Sequence, residues 1–414
     1  MATEMKVCLL AVIVGVCSFF APKTQAQDAS NMIPKQRAIK DTARQTDLID
    51  IAKDIFHISP GKPRAQYEKK IYFSILPVPG AVPGGTGRAL ITSTTAGTYL
   101  GPQKTTNLSS ATFAPYWNLK DRFGLPLRSS IWLKDNSWNI QGDIRLLVYP
   151  QYTWGLGSGH SYSDKTLVDD NYIRFYQSAL KQIKPYFFAG GGYSIDYRSN
   201  IKSDDPTVNL KQFTGYNYGT GSSSVSSGIN INLLYDTRNN SINPLPGSYF
   251  NIVYRINPVF LGSNNSWHSL YVDYRKYVPL NGKNRNQQNT LAFWSYFWTV
   301  FNSNAPYLDL PSIGWDPYNR SGEGIDQNRY RGKSLFYFES EYRRDITPNG
   351  LLGFVVFTDI NSVSGSGTLF TSWHPAARTG LRIKFNKGSN TNIGIDYGFS
   401  KGYSAVILNL GEAF

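Results

Sequence analysis

Between Lys69 and Phe414 the sequence repeats one pattern, short runs of alternating apolar and polar residues separated by turn residues. A period of two places successive side chains on opposite faces of a strand. In 228–236, Ile229, Ile231, Leu233 and Tyr235 share one face, and Asn230, Asn232 and Asp236 share the other. In 250–257, Phe250, Ile252, Tyr254 and Ile256 oppose Asn251, Arg255 and Asn257. In 378–384, Leu381 and Ile383 oppose Arg378, Arg382 and Lys384. In 392–399, Ile393, Ile395, Tyr397 and Phe399 oppose Asn392 and Asp396. One face is apolar and aromatic throughout, and the other is polar and often charged.

A soluble sandwich gives such alternation by burying the apolar face against a second sheet. A transmembrane barrel gives it by turning that face to lipid and keeping the polar face inside. The strands repeat over a span too long for one sandwich, and the last one runs almost to Phe414, an aromatic end typical of outer-membrane barrels. In hydrocarbon an unpaired sheet edge is too costly, so the sheet must close. The pattern predicts sixteen strands, over 69–78, 87–99, 107–119, 125–134, 138–151, 169–180, 185–197, 225–237, 247–261, 267–277, 289–302, 334–345, 350–361, 376–386, 391–400 and 403–411. The longest connections, 153–168, 198–224, 303–333 and 362–375, then fall on one side of the membrane; the short ones 135–137, 181–184, 346–349 and 387–390 fall on the other. Short periplasmic turns and long outer loops are the asymmetry of these barrels. Trp117, Trp132, Trp138, Trp267 and Trp298 are expected at the lipid interfaces, where amphipathic rings prefer to sit.

The domain plan is a signal peptide over 1–26, a short periplasmic segment over 27–68 and a barrel over 69–414. Lys6, an apolar run from Val7 to Phe20 and the Thr24-Gln25-Ala26 end read as a secretory leader. A buried N-terminal helix is the other reading of that run. Cys8 and Cys17 both lie within it, so the exported chain is expected to have no disulfide, thiolate metal site or cysteine nucleophile. Residues 27–68 are too few for a core-bearing domain. They carry one helical candidate, Thr42 to Ile58, with Leu48, Ile51, Ile55 and Phe56 on one face, and are expected to serve as a tether or plug.

Chemistry-bearing motifs are absent. His57, His160, His268 and His374 show no metal spacing, and no nucleophile elbow, zinc-protease or phosphate-loop motif occurs. No metal, cofactor or catalytic residue is expected. The formal charge of +14 suits anionic lipid headgroups or lipopolysaccharide phosphates as well as a solvated excess, and compartment excludes nucleic acid.

Four segments resemble the BamA/TamA superfamily of outer-membrane assembly and translocation barrels, the bacterial surface antigen family. Tyr235-Asp236-Thr237-Arg238-Asn239, with Pro244, Pro246 and Gly247 after it, resembles that family's periplasmic turn. Arg329-Tyr330-Arg331-Gly332 resembles the motif of its sixth loop. Glu339 to Arg343 and Gly353 to Asp359 resemble the two strands that follow. The family usually has an aromatic where Lys333 stands here, and its assembly members carry POTRA domains for which residues 27–68 leave no room; the resemblance is to a variant without them. It implies that loop 303–333 folds into the lumen and that Arg331 lies within hydrogen-bonding distance of Glu341, Asp359 or both, while Arg329 faces water. It implies a Gram-negative outer-membrane location and a role in inserting or translocating proteins or assembling lipid. Client outer-membrane proteins and periplasmic or outer-membrane subunits are the implied partners, beside membrane lipid and lipopolysaccharide. A passive channel or structural barrel and an outer-membrane enzyme are the competing readings; for the latter no strand-borne His–Ser pair stands out.

Overall fold

The computed structural model describes residues 45–57, 71–81, 88–118, 122–238, 240–244, 246–281, 287–302, 304–317, 319–365, 369–412 and 414. All belong to one compact unit, residues 37–414. The expected leader over 1–26 and most of 27–68 lie outside the described residues.

One antiparallel sheet of eighteen segments makes up the unit. In chain order its strands are β1 (Tyr72–Ala81), β2 (Arg88–Thr98), β3 (Ser109–Phe113 and Tyr116–Trp117), β4 (Phe123–Trp132), β5 (Trp138–Val148 and Gln151–Thr153), β6 (Thr166–Lys184), β7 (Phe187–Ser203) and β8 (Ser223–Asp236). They continue as β9 (Gly247–Asn257), β10 (Trp267–Pro279), β11 (Asn289–Val300), β12 (Ser334–Asp345), β13 (Leu352–Val363), β14 (His374–Asn386), β15 (Thr391–Ser400) and β16 (Tyr403–Leu410). β3 and β5 are each one strand broken in the middle, because both pieces of β3 pair with β2 and β4 and both pieces of β5 pair with β6. The breaks fall at Pro115 and Pro150, which have no N–H for the ladder. Eighteen segments thus make the sixteen strands expected, each paired with the next in sequence.

Inside and outside follow parity. Ile229, Ile231 and Leu233 are 48%, 55% and 40% exposed, while Asn230, Asn232 and Asp236 are buried. Leu381 faces out, and Arg378, Arg382 and Lys384 are buried inward. The tryptophan expectation is corrected. Trp117 and Trp138 face outward, but Trp132, Trp267 and Trp298 line the lumen cavity. Each of the three shares its parity with inward residues of its own strand, such as Arg128, Asp273 and Trp294. Position in the pleat overrides the preference of the indole for an interface.

Closure differs from the expectation too. β16 pairs with β15 and β1 with β2, and no ladder joins β16 to β1 among the described residues. The chain leaves the wall at Gly411 (φ 92°) and turns inward. Phe414 is buried against Trp294 and Tyr277, at ring separations of 5.3 and 6.0 Å, and Arg343 Nη2 donates to its carbonyl at 3.0 Å. The terminal aromatic is a lumen residue rather than a lipid-facing end of the last strand.

The helix of the N-terminal segment, α1 (Leu48–Ile55), is shorter than predicted. It starts at a capping box in which Asp47 and Asp50 accept from each other's backbone N–H. It rests on the short turns at one end of the sheet. Thr46 N donates to Asn349 O at 3.1 Å, and Lys387 Nζ donates to Asp50 Oδ2 at 2.6 Å.

Candidate functional site

The connection from β11 to β12, residues 301–333, folds into the barrel. Its apolar residues Ile313 and Ile325 are buried against Trp294, Tyr296 and Tyr337 of the wall. Its polar groups are met by strands from both halves of the molecule. Tyr149 donates to Gln327 Oε1 (2.7 Å), Asn328 Nδ2 to Gln151 Oε1 (3.0 Å) and Tyr296 to Ser321 Oγ (2.9 Å). Glu323 forms an ion pair with Arg378 of β14. Arg145 of β5 donates to Asn319 Oδ1 at 3.0 Å and to Pro317 O at 3.1 Å. Buried polar groups need such partners, so the loop has one seated position rather than many.

Arg331 sits in this plug with no exposed surface. Its backbone bridges to Gly157 and Ser312. Its Nη1 donates to Tyr307 O (3.0 Å), its Nη2 donates to Asn328 Oδ1 (2.9 Å), and the guanidinium lies 4.9 Å from the Tyr307 ring. Burial pushes its pKa below the ordinary arginine value. Gly332 is fixed by space, since a methyl group there would lie 2.5 Å from Ser364 O.

The expected ion pairs of Arg331 do not form. Glu341 is held by Arg343 of its own strand, at 2.8 Å. Asp359 is 4% exposed, and neither of its oxygens has a partner. The reason is register. Asp359 faces Glu339 across the ladder, and Glu341 faces Phe357, so the cross-strand acid pair is Glu339–Asp359. Glu339 has a single donor, Tyr337 OH at 2.5 Å. Arg331 meanwhile spends its donors on loop carbonyl groups. Arg329 is corrected as well. It is buried, its guanidinium lies 5.2 Å from the Trp154 ring and 5.1 Å from the Tyr330 ring, and it donates to His160 O at 2.5 Å.

At the short-turn mouth, Asp236 accepts two hydrogen bonds from the Arg238 side chain (3.0 and 2.9 Å) and one from its backbone N–H (2.9 Å). Thr237 Oγ1 accepts from Ser248 N at 2.9 Å. Gly247 has φ 134°, and a Cβ there would lie 2.8 Å from Arg238 Cα. The turn motif is therefore a compact unit that only glycine can close. Asn239 of that motif lies outside the described residues.

Sequence reasoning passed over Glu323 and Asn328. Arg343 and Arg378 were legible as inward by parity, but nothing local marks Glu323 or Asn328 as the residues that hold the loop. Below the loop lies a cavity of about 360 Å³, lined among others by Arg128, Asp143, Arg174 and Arg320, with Trp315 of the loop on its wall.

The Omp85 superfamily domain matches residues 85–402. Among solved structures, BamA from Haemophilus ducreyi lacking POTRA domains 1–3 is 15% identical with a TM-score of 0.48, over 83% of this chain and 69% of that one. CdiB from Acinetobacter baumannii is 11% identical with a TM-score of 0.47, over 80% of this chain and 62% of that one. No curated sequence matches. With the domain match spanning most of the sixteen strands, the chain belongs to the Omp85 superfamily, as an outer-membrane β-barrel of a Gram-negative bacterium.

Proposed function

We propose that this barrel inserts or translocates client outer-membrane proteins, and that the edge between β1 and β16 is where clients pair. The observation that carries the reading is the seam itself. Among the described residues β16 has a ladder on one side only, and an unpaired strand edge is a template for an incoming strand. A passive channel is the second reading, and the plugged lumen counts against it. Loop 301–333 occupies part of the bore and is held there by hydrogen bonds to β5 and β11 and an ion pair to β14. On the favoured reading the partners are client chains, periplasmic or outer-membrane subunits, and lipid with lipopolysaccharide. No catalytic step is assigned.

Cysteine pairs along 72–75 of β1 and 406–410 of β16 test it. Oxidation that locks the seam is expected to stop insertion of an unfolded client barrel into proteoliposomes, and reduction to restore it. Ion conductance unchanged by the lock, together with unchanged insertion, would transfer the assignment to the passive channel.

A further inference from the structure

Helix α1 is docked the wrong way round for water. Asp47 and Asp50 lie on its attached edge. Lys387 N donates to Asp47 Oδ2 at 2.8 Å, and Lys387 Nζ donates to Gln45 O at 3.0 Å as well as to Asp50. At 100° per residue, Leu48, Ile51, Ala52 and Ile55 form a stripe on the opposite side from Asp50. Leu48 and Ile51 are half-buried, while Ala52, Ile55 and the following Phe56 are exposed, Ile55 at 66% and Phe56 at 72%. An amphipathic helix in water buries its apolar stripe against the protein and leaves charges outside. Here Asp47 and Asp50 hold the protein, and the C-terminal end of the stripe, Ala52, Ile55 and Phe56, is left exposed. Leaving that area in water costs about 25 cal/mol per Å², and ion pairs as accessible as Lys387–Asp50 recover little of it.

The stripe lies where the lipid-facing band of the barrel ends. The turn that holds Thr46 carries Ile346, 58% exposed, and leads into Leu352, 42% exposed. Leu381 on β14 is 58% exposed on the same outer face. These apolar residues lie on the outward face of β13, β14 and their turn, at the end of the barrel where Thr46 is hydrogen-bonded to Asn349. We infer that α1 is an interfacial helix. Its Leu48, Ile51, Ile55 and Phe56 edge lies in the headgroup region of the leaflet at the short-turn mouth, and Lys387 clamps its polar edge to the barrel. The occupant of the stripe is a lipid surface, and the depth follows from the ordinary behaviour of short helices with one apolar edge.

The test uses the full chain with Cys8→Ser and Cys17→Ser, reconstituted in vesicles of phosphatidylethanolamine and phosphatidylglycerol. Single cysteines at 53, 54, 55 or 56 carry an environment-sensitive fluorophore. Labels at 55 and 56 are expected to be blue-shifted and to lose most of their emission to lipids bearing a shallow nitroxide, whereas labels at 53 and 54 respond to aqueous iodide instead. With Ile51→Asp added, the label at 56 is expected to move from nitroxide to iodide quenching while the barrel keeps its heat-modifiable migration. Equal iodide quenching at all four positions overturns the inference. So does a label at 56 that stays protected from both quenchers, which would place a protein surface over the stripe. A nitroxide response at 56 untouched by Ile51→Asp also overturns it, because the apolar edge would then not be what holds the helix in lipid.

Discussion

Two stretches of the lumen wall treat buried carboxylates in opposite ways. From β5 to β9, Asp143 meets Arg145 at 2.6 Å and Arg174 at 3.2 Å, Asp170 meets Arg198 at 2.5 Å, and Asp196 meets Arg255 at 2.6 Å. Tyr172 and Tyr176 donate to Asp196 as well, at 2.5 and 2.6 Å. Between β12 and β13, Glu339 and Asp359 face each other with one tyrosine hydroxyl between the two of them and no arginine in contact. The unpaired acids are more deeply buried than Asp143, Glu339 at 1% and Asp359 at 4% exposed against 14% for the Asp143 side chain, so exposure to water does not explain their lack of a cation. It lies in who supplies the cation. In the first region arginines come from the strands themselves, where register fixes them opposite the acids. In the second the only arginine expected from sequence stands on a loop, and the loop has its own carbonyl groups to satisfy.

The contrast predicts effects of different size and of opposite sign. The largest falls in the paired region. Asp196→Ala strands two guanidinium groups and two hydroxyls and is expected to lower barrel stability by about 3–5 kcal/mol, read as earlier unfolding in heat-modifiable gel migration. Next comes the plug. Arg331→Ala removes two charge-assisted hydrogen bonds and is expected to cost about 2–3 kcal/mol and to expose loop 301–333 to protease. Arg329→Ala, which loses ring stacking and one hydrogen bond, is expected to cost about 1–2 kcal/mol. Wild-type heat resistance in both variants would mean that the seated loop contributes nothing to the fold.

In the unpaired region the sign reverses. Asp359→Asn removes a charge that nothing neutralises, beside a second carboxylate, and is expected to raise stability by about 1 kcal/mol. A drop of the size expected for Asp196→Ala would show that the pair has a partner in the membrane and would erase the contrast between the two regions.

The smallest effect lies outside the membrane, at the foot of α1. Burial alone would raise the Asp50 pKa, but the hydrogen bond and charge of Lys387 outweigh it, and the carboxyl titrates below its ordinary value. The unfolded value is about 4. The contribution of this anchor is therefore complete above that pH and is lost as pH falls through the lower folded value. Both side chains are about 30% exposed, so the anchor is worth under about 1 kcal/mol. Faster amide exchange in 46–55 under acid, abolished as a pH effect in Lys387→Ala, is the expected reading.

The sequence by itself determined the strand count, the two faces of the strands whose alternation is clean and the closed turn at Asp236–Gly247. All three are local: alternation has a period of two, and a positive φ at Gly247 demands glycine whatever the rest of the chain does. The family resemblance marked loop 303–333 for the lumen, where the structure also places it, with Arg331 buried within it. It put Arg331 against the wrong partners, and the sequence reading put Trp132, Trp267 and Trp298 on the wrong side by ranking residue type above parity. Only the tertiary structure decided that Glu339 rather than Glu341 faces Asp359, that Glu323 holds the loop through Arg378, that Phe414 turns into the lumen and that β1 and β16 leave a seam. A one-residue slip in register changes which acids face each other without changing either strand's pattern. The path of a long loop depends on which buried donors and acceptors it must satisfy along the way, and those belong to strands far from it in sequence.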